Sequence, residues 1–410
     1  MTPDESHARP RPRETSPASG GSASGLLAVL VDADAARARA FGLTASERLE
    51  RGLARAGVVH VARDRDGVVP SPSDDRVLLV RADTFYDERL LHALAAAPAG
   101  TLLAGDDGRP LAVVAGPDRA AAARDALAGG ARAGFATLAP GDLVPAYDER
   151  LRKHQPPFAL PAVDSNVRGV ENEIFAASYK GVTDLVTKWV WPVPARAAVR
   201  ACVRRGITPN TVTAVSYALA IAVIALWAGG GRGFAPGLAL AWIMTFLDTV
   251  DGKLARCTLT SSRFGHVLDH GLDLVHPPLW WAAWAWGLAQ GEPGFGAQLA
   301  TVWIVVGGYV VGRLLEGVFL LLFEMEMFTW RPFDGWFRQV IARRNPNLLL
   351  LSAGLAFASP QAGLRAIALW TLGSIAIQLV RIAQALALRA RGTRIRPWYE
   401  EGASVATAAR

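Results

Sequence analysis

The stretch Asp248-Thr-Val-Asp251-Gly252-Lys-Leu-Ala255-Arg256, followed by Gly265-His-Val-Leu-Asp269-His-Gly-Leu-Asp273, decides how the whole chain is read. Its four carboxylates stand in the most apolar half of the sequence. On a helix, Asp248 and Asp251 are three residues apart and share a face. Asp269 and Asp273 are four apart and share another. Two such pairs on neighbouring helices gather four carboxylates about one point. Bare, they would repel one another and lose hydration at membrane depth. Divalent cations relieve both costs, and carboxylate oxygens suit Mg²⁺ or Mn²⁺. Gly252 lets another backbone or a ligand come close. Arg256, one turn on, is a fixed positive charge that fits phosphate oxygens. The competing reading of intramembrane acids is a set of salt bridges or a proton relay, as in a transporter.

Around the motif the chain reads as a membrane domain. A bilayer core of about 30 Å takes about 20 helical residues. Apolar runs predict six spans, at 212–228, 234–247, 267–288, 299–323, 348–358 (short) and 364–386. Arg196, Arg200, Arg204, Arg205, Lys253, Arg256, Arg263, Arg331, Arg338, Arg343, Arg344 and the arginines of 389–396 collect on one side, against Arg232 and Arg365 on the other. The positive-inside rule makes the first side cytoplasmic, and the motif, the soluble domain and both termini with it. Trp280, Trp281, Trp284 and Trp286 read as an interfacial belt. Of the 410 residues 51% are apolar and 19% charged, and the net charge is +7. In such a chain the charge reads as topology and attraction to anionic lipid, with no nucleic-acid partner. Cys202 and Cys257 form no metal or redox pattern.

Upstream, 1–25 is rich in Pro, Ser, Gly and Arg, has no apolar run, and reads as a disordered tail without a signal peptide. Residues 26–161 alternate strands (26–31, 58–62, 76–80, 101–104, 111–114) with helices (46–56 and through Leu90, Leu91 and Leu94), which predicts an α/β layer with a mostly parallel sheet. In 162–210 Trp189 and Trp191 mix with arginines, the composition of an amphipathic juxtamembrane helix on the inner leaflet. Thr183 or Asp184 is placed to cap a short helix, and Asn210 or Thr211 to cap the first span. The membrane domain then occupies 211–390 and a cytoplasmic tail 391–410.

The string D-x2-D-G-x2-A-R-x8-G-x3-D-x3-D, with every fixed position filled, resembles the signature of the CDP-alcohol phosphotransferase (CDP-alcohol phosphatidyltransferase) family of integral membrane enzymes. The resemblance implies transfer of a substituted phosphate from a CDP-alcohol to an acceptor hydroxyl, with CMP leaving. It implies Asp248, Asp251 and Asp269 as metal ligands, and Asp273 as general base that also touches the second metal. Gly252 and Ala255 would make room for the cytidine and Arg256 would hold its phosphates. The string Pro209-Asn-Thr-Val-Thr213 resembles the family's opening of the first span, with Thr213 either a ligand-side hydroxyl or a simple cap. A homodimer is the family's usual state. The order of elements in 26–161 resembles a sugar-nucleotide-type nucleotidyltransferase, a domain fused in front of this membrane fold in bifunctional inositol-phosphate cytidylyltransferase/di-inositol-phosphate phosphate synthases. Here the stretch 32–42 lacks the Gly-rich phosphate loop, which points to a degenerate domain. Asp83 is either a metal-binding residue or a turn residue. The donor alcohol is accordingly diacylglycerol or inositol, and the acceptor a polyol or polyol phosphate.

Five arginines compete for the acceptor phosphate. Arg313 stands three residues before Glu316 inside a span, where it either closes a buried ion pair or faces the pocket. Arg331, Arg338, Arg343 and Arg344 crowd the loop before the fifth span, where cations mark topology or, beside a metal site, bind a phosphate. His266, His270 and His276 flank the acids, but the neighbouring carboxylates and arginines argue against zinc.

Overall fold

The computed structural model describes residues 25–33, 37–64, 75–261, 263–290 and 296–399, with only the backbone of 263–270, 272, 273, 296 and 297. The chain forms two compact units. The first holds the chain up to Ala38 together with Thr44–Val144 and Pro157–Asn166. The second holds Arg39–Leu43, Pro145–Pro156 and Val167–Arg410.

The first unit is built on a six-stranded sheet: β1 (Leu26–Val31), β2 (His60–Arg63), β3 (Arg76–Arg81), β4 (Thr101–Ala104), β5 (Pro110–Ala115) and β6 (Ala136–Leu138). The order is β2-β1-β3-β5-β4-β6. β1 runs parallel to both neighbours, with Ala28 opposite Val61 and Leu78, and β4 runs parallel to β6. β5 alone reverses against its neighbours. Both faces of the sheet are covered, so the strands read as continuous apolar runs rather than alternating ones. Leu26, Ala28, Leu30, Leu78 and Val80 meet α1 (Ala45–Arg55) and α2 (Glu88–Ala96) through Leu49, Leu53, Leu91 and Leu94. Leu27, Val29, Leu79 and Val113 on the other face meet Ala123, Ala126 and Leu127 of α3 (Ala120–Leu127). A reciprocal capping box starts α1, Thr44 N donating to Glu47 Oε2 at 2.8 Å and Glu47 N to Thr44 Oγ1 at 3.2 Å.

The second unit is helical. It runs through α4 (Val167–Ala177), a π-helical turn at Val186–Val190, α5 (Pro192–Arg204), α6 (Pro209–Ala228), α7 (Phe234–Cys257), α8 (Arg263–Ala289), α9 (Gly296–Phe323), α10 (Pro332–Val340), α11 (Arg344–Ala356) and α12 (Pro360–Ala390). Among the described residues, four helices are long and apolar enough to cross a membrane, at Pro209–Ala228, Gly231–Cys257, Gln298–Phe323 and Pro360–Ala390. The two others expected to span are helical but differ in kind. α11 has 13 residues, a rise of only about 20 Å, and α8 carries Pro277 and Pro278 inside.

Two local expectations are corrected. Trp280, Trp281 and Trp284 are no interfacial belt: each is at most 1% exposed, and they pack with Trp227 and Phe234 in the core. The Trp227 and Trp284 rings meet edge to face at 4.8 Å. Their N–H groups find helix carbonyls, Trp280 Nε1 donating to Ala220 O at 3.0 Å and Trp227 Nε1 to Phe234 O at 3.3 Å, which removes the need for a wet interface. Only Trp286 of the four is exposed. The first span is capped by Thr208 rather than Asn210 or Thr211. Its hydroxyl accepts from Thr211 N at 3.2 Å, and Pro209 takes the first helical position, where no N–H is needed.

Candidate active site

The motif occupies the last three turns of α7, against α6. The Thr213 hydroxyl of α6 lies 2.6 Å from Asp251 Oδ2 and 3.1 Å from the carbonyl of Pro209. It is no cap, since Thr208 caps this helix; it holds a carboxylate that is 5% exposed. Burying that charge is costly, and the hydroxyl offsets part of the cost. Asp248, one turn earlier, accepts from Arg344 Nη2 at 2.6 Å, with both side chains 16% exposed. Arg344 opens α11, and its Nη1 lies 3.4 Å from His276 Nε2. A histidine facing a guanidinium is a poor zinc ligand. Asp269 and Asp273 lie on the backbone of α8, four residues apart on one face. Their side chains, and those of His266 and His270, lie outside the described residues.

A cavity of about 580 Å³ opens against this end of α7. Asp248, Gly252 and Arg256 line one part of it, and Arg313, Arg338, Arg343 and Arg344 another. A Cβ at position 252 would stand 3.2 Å from Arg256 Nη2, a tight contact that glycine avoids. Ala255, Thr213 and Asp251 are not among the residues that line the cavity. Arg331 is not brought to the cavity: it is exposed, with its guanidinium 4.9 Å from the Trp330 ring. Arg313 satisfies both readings offered for it. It lies 3.7 Å from Glu316 and also lines the cavity. The tighter partner of Glu316 is Arg343.

The remaining arginine, Arg338, has its Nη1 buried without a hydrogen bond. Burial first, and then the charge of Arg343, push the Arg338 guanidinium below its ordinary range; burial does the same to Arg343, opposed by Glu316. A guanidinium does not give up its proton in proteins, so an anion in the cavity would relieve this penalty.

Sequence reasoning missed other lining residues. Lys253, in a variable position of the motif, is 4% exposed, donates to Ser178 O at 3.2 Å and stands 3.7 Å from the Tyr179 ring centre. Asp184 does cap the π-helical turn, accepting from Val186 N and Thr187 N, but it also accepts from Asn345 Nδ2 at 2.9 Å and so ties that turn to α11. Arg152, Lys180 and Glu326 complete the wall and carried no motif to mark them.

In the first unit Asp83 is committed to two guanidinium groups, at 3.0 Å from Arg81 Nη2 and 2.6 Å from Arg109 Nη2. Burial raises its pKa, but the hydrogen bonds from Arg81 and Arg109 outweigh this and hold the carboxyl below its ordinary range. Part of the stretch 32–42, residues 34–36, lies outside the described residues.

Residues 206–370 match the family model for CDP-alcohol phosphatidyltransferase. A phosphatidylinositol phosphate synthase of Mycobacteroides abscessus is 36% identical over 93 residues, which are 21% of this chain and 42% of that protein. The phosphatidylinositol phosphate synthase of Mycobacterium marinum is 32% identical over 90 residues, 20% of this chain and 38% of that protein. The matches thus span about two fifths of the length of these curated relatives. The crystal structure of Mycobacterium tuberculosis phosphatidylinositol phosphate synthase with CDP-DAG bound is similar at a TM-score of 0.36 and 17% identity, covering 46% of this chain and 92% of that one.

Proposed function

Residues 206–370 match the CDP-alcohol phosphatidyltransferase family, and on that premise we propose that this chain transfers a substituted phosphate from a CDP-alcohol to the hydroxyl of a polyol phosphate, releasing CMP in phospholipid synthesis. The observation that carries the proposal is one cavity lined by Asp248, Gly252 and Arg256 of the motif together with Arg313, Arg338, Arg343 and Arg344. The first group suits a cytidine diphosphate and the second a phosphorylated acceptor. Asp248 and Asp251 offer hard carboxylate oxygens on successive turns of one helix, and such donors fit Mg²⁺ or Mn²⁺. With Asp269 and Asp273 they would hold the metal, which when bound neutralises the diphosphate charge. Arg256, with room secured by Gly252, orients the donor phosphates. Arg313, Arg338 and Arg343 hold the acceptor phosphate so that its hydroxyl faces the diphosphate. Asp273 takes the hydroxyl proton as the new P–O bond forms and the bond to CMP breaks.

The wider assignment belongs to the same proposal. Six spans across the inner membrane, with α8 and α11 added to the four long apolar helices, put the motif and both termini in the cytoplasm and bring a charged nucleotide substrate made there within reach. The domain bounds follow the sequence reading, with a homodimer as the family's usual state. The amino-terminal unit is a degenerate nucleotidyltransferase-like domain; commitment of Asp83 to Arg81 and Arg109 supports the loss of its metal site. The test is CMP release by purified protein in detergent with Mg²⁺ or Mn²⁺, offering CDP-diacylglycerol or CDP-inositol against a panel of polyol phosphates, with Asp269→Asn as blank. Metal-dependent release from one donor is the expected result. A folded protein that binds CDP and releases no CMP from either donor would defeat the proposal.

A further inference from the structure

We propose that Arg152 is a substrate-phosphate-binding residue, delivered to the cavity by a hairpin that lies upstream of the family-matched stretch. The inference rests on the transferase reading for the identity of the phosphate ester, and not for the binding itself. The hairpin pairs Tyr147–Asp148 with Lys153–His154. It falls within Pro145–Pro156, which belongs to the helical second unit although the chain on both sides of it belongs to the first.

The hairpin is fixed at several points. The Tyr147 ring stacks on Tyr399 of the carboxyl-terminal segment at 3.7 Å. Gly181 N donates to Leu151 O at 2.7 Å and Lys153 Nζ to Ala176 O at 2.5 Å. The approach at Gly181 is close: a Cβ there would lie 2.1 Å from the carbonyl oxygen of Arg152. At the end of the turn Arg152 takes φ +53°, the left-handed region, where glycine or asparagine is the easy residue and an arginine carries a conformational cost.

That cost is met at a cavity wall. Arg152 lines the cavity and pairs with Glu326, their side chains 23% and 43% exposed. An ion pair this accessible adds little stability, so a clasp alone is a weak reason for an arginine in a strained turn. The charge inside the cavity supplies a stronger one. Among the described residues, eight lysines and arginines line it against four carboxylates. Such an excess suits a ligand set with more than one phosphate, and Glu326, the more exposed partner, is free to give up Arg152 to a phosphate oxygen.

Arg152→Gly tests this cleanly, because glycine suits φ +53° and removes the charge without straining the turn. Loss of a charge-assisted phosphate contact should raise KM about tenfold or more. Varying CDP-diacylglycerol at saturating inositol phosphate, and then the reverse, shows whether the donor or the acceptor phosphate is held. Arg152→Lys should restore part of the loss. Inorganic phosphate and pyrophosphate are the probes that need no turnover: they should raise the melting temperature of wild-type protein in detergent, and raise it less for Arg152→Gly. Glu326→Gln breaks the same pair and keeps the guanidinium, so it should retain the phosphate response. If Glu326→Gln loses that response as Arg152→Gly does, or if Arg152→Gly changes neither KM nor the phosphate response, Arg152 is a structural clasp and the proposal is overturned. If wild-type protein releases no CMP from any donor, the transferase reading fails, and the phosphate arm alone decides the role of Arg152.

Discussion

Arg344 supplies the counter-charge to Asp248, the carboxylate proposed to hold a metal, and the perturbation Arg344→Gln tests that relation. Arg344 Nη2 lies 2.6 Å from Asp248 Oδ2, with each side chain 16% exposed. Removing one partner of a largely buried pair weakens the compensation of the other charge, at a cost of up to about 3–5 kcal/mol. The residual exposure favours the low end, about 3 kcal/mol, which for a unit of this size corresponds to about 6–12 °C in melting temperature. That loss belongs to the metal-free protein. A divalent cation on Asp248 supplies the missing charge, and at a hundredfold excess over its dissociation constant it contributes about 2.7 kcal/mol, nearly the size of the loss. In wild-type protein the cation must compete with Arg344 for the same carboxylate. The Mg²⁺-induced rise in melting temperature should therefore be larger in Arg344→Gln than in wild type. The assay is intrinsic tryptophan fluorescence during heating, in detergent, with EDTA or with saturating MgCl₂. The expected result is a deficit of several degrees in EDTA that shrinks to less than half in Mg²⁺. An equal deficit in both conditions would refute the idea that Arg344 and a cation share Asp248.

Thr213→Val keeps the shape of the side chain and removes the hydroxyl 2.6 Å from Asp251; a hydrogen bond to a charged group is worth about 1.5–3 kcal/mol, so kcat/KM for CMP release should fall about tenfold or more, with Thr213→Ser recovering most of it. Asp273→Asn should keep CDP-alcohol and metal binding and lose turnover, and near wild-type CMP release would remove Asp273 from the role of base. Asp83 bears on acid stability: its folded pKa lies below the ordinary 3.8, so its contribution is fully present above that value and is lost as pH falls through the folded one. Asp83→Asn should accordingly weaken the amino-terminal unit at neutral pH and flatten its stability profile below pH 4, followed by circular dichroism; an unchanged acid profile would show that the pairs with Arg81 and Arg109 contribute nothing.

The motif was legible because the chemistry dictates both residue type and spacing. Carboxylates at i and i+3 fall on one helix face whatever surrounds them, and Asp248 and Asp251 do sit on successive turns of α7. The arginines were legible as cations but not as a set. Arg331 and Arg338 are seven residues apart, two helical turns, which ought to align them. Arg331, however, is the cap of α10, at φ −133° and ψ 160°, and this extended backbone carries its side chain away from the cavity that Arg338 lines. The cap of the first span is set by the proline that follows it. A residue before proline is driven to extended backbone, which is also the geometry of an N-cap, and Thr208 holds φ −83° and ψ 157° before Pro209. The tryptophans expose a different limit. Composition cannot separate an indole at a wet interface from one whose N–H meets a carbonyl 60 residues away, as Trp280 meets Ala220.

Arg152 lies beyond all these signals, since neither spacing nor periodicity relates it to the motif a hundred residues later. Its one trace is local: a charged residue that closes a hairpin turn at positive φ, where chain geometry alone would select glycine. The side chain of this residue lines the cavity that holds the motif's Asp248 and Arg256.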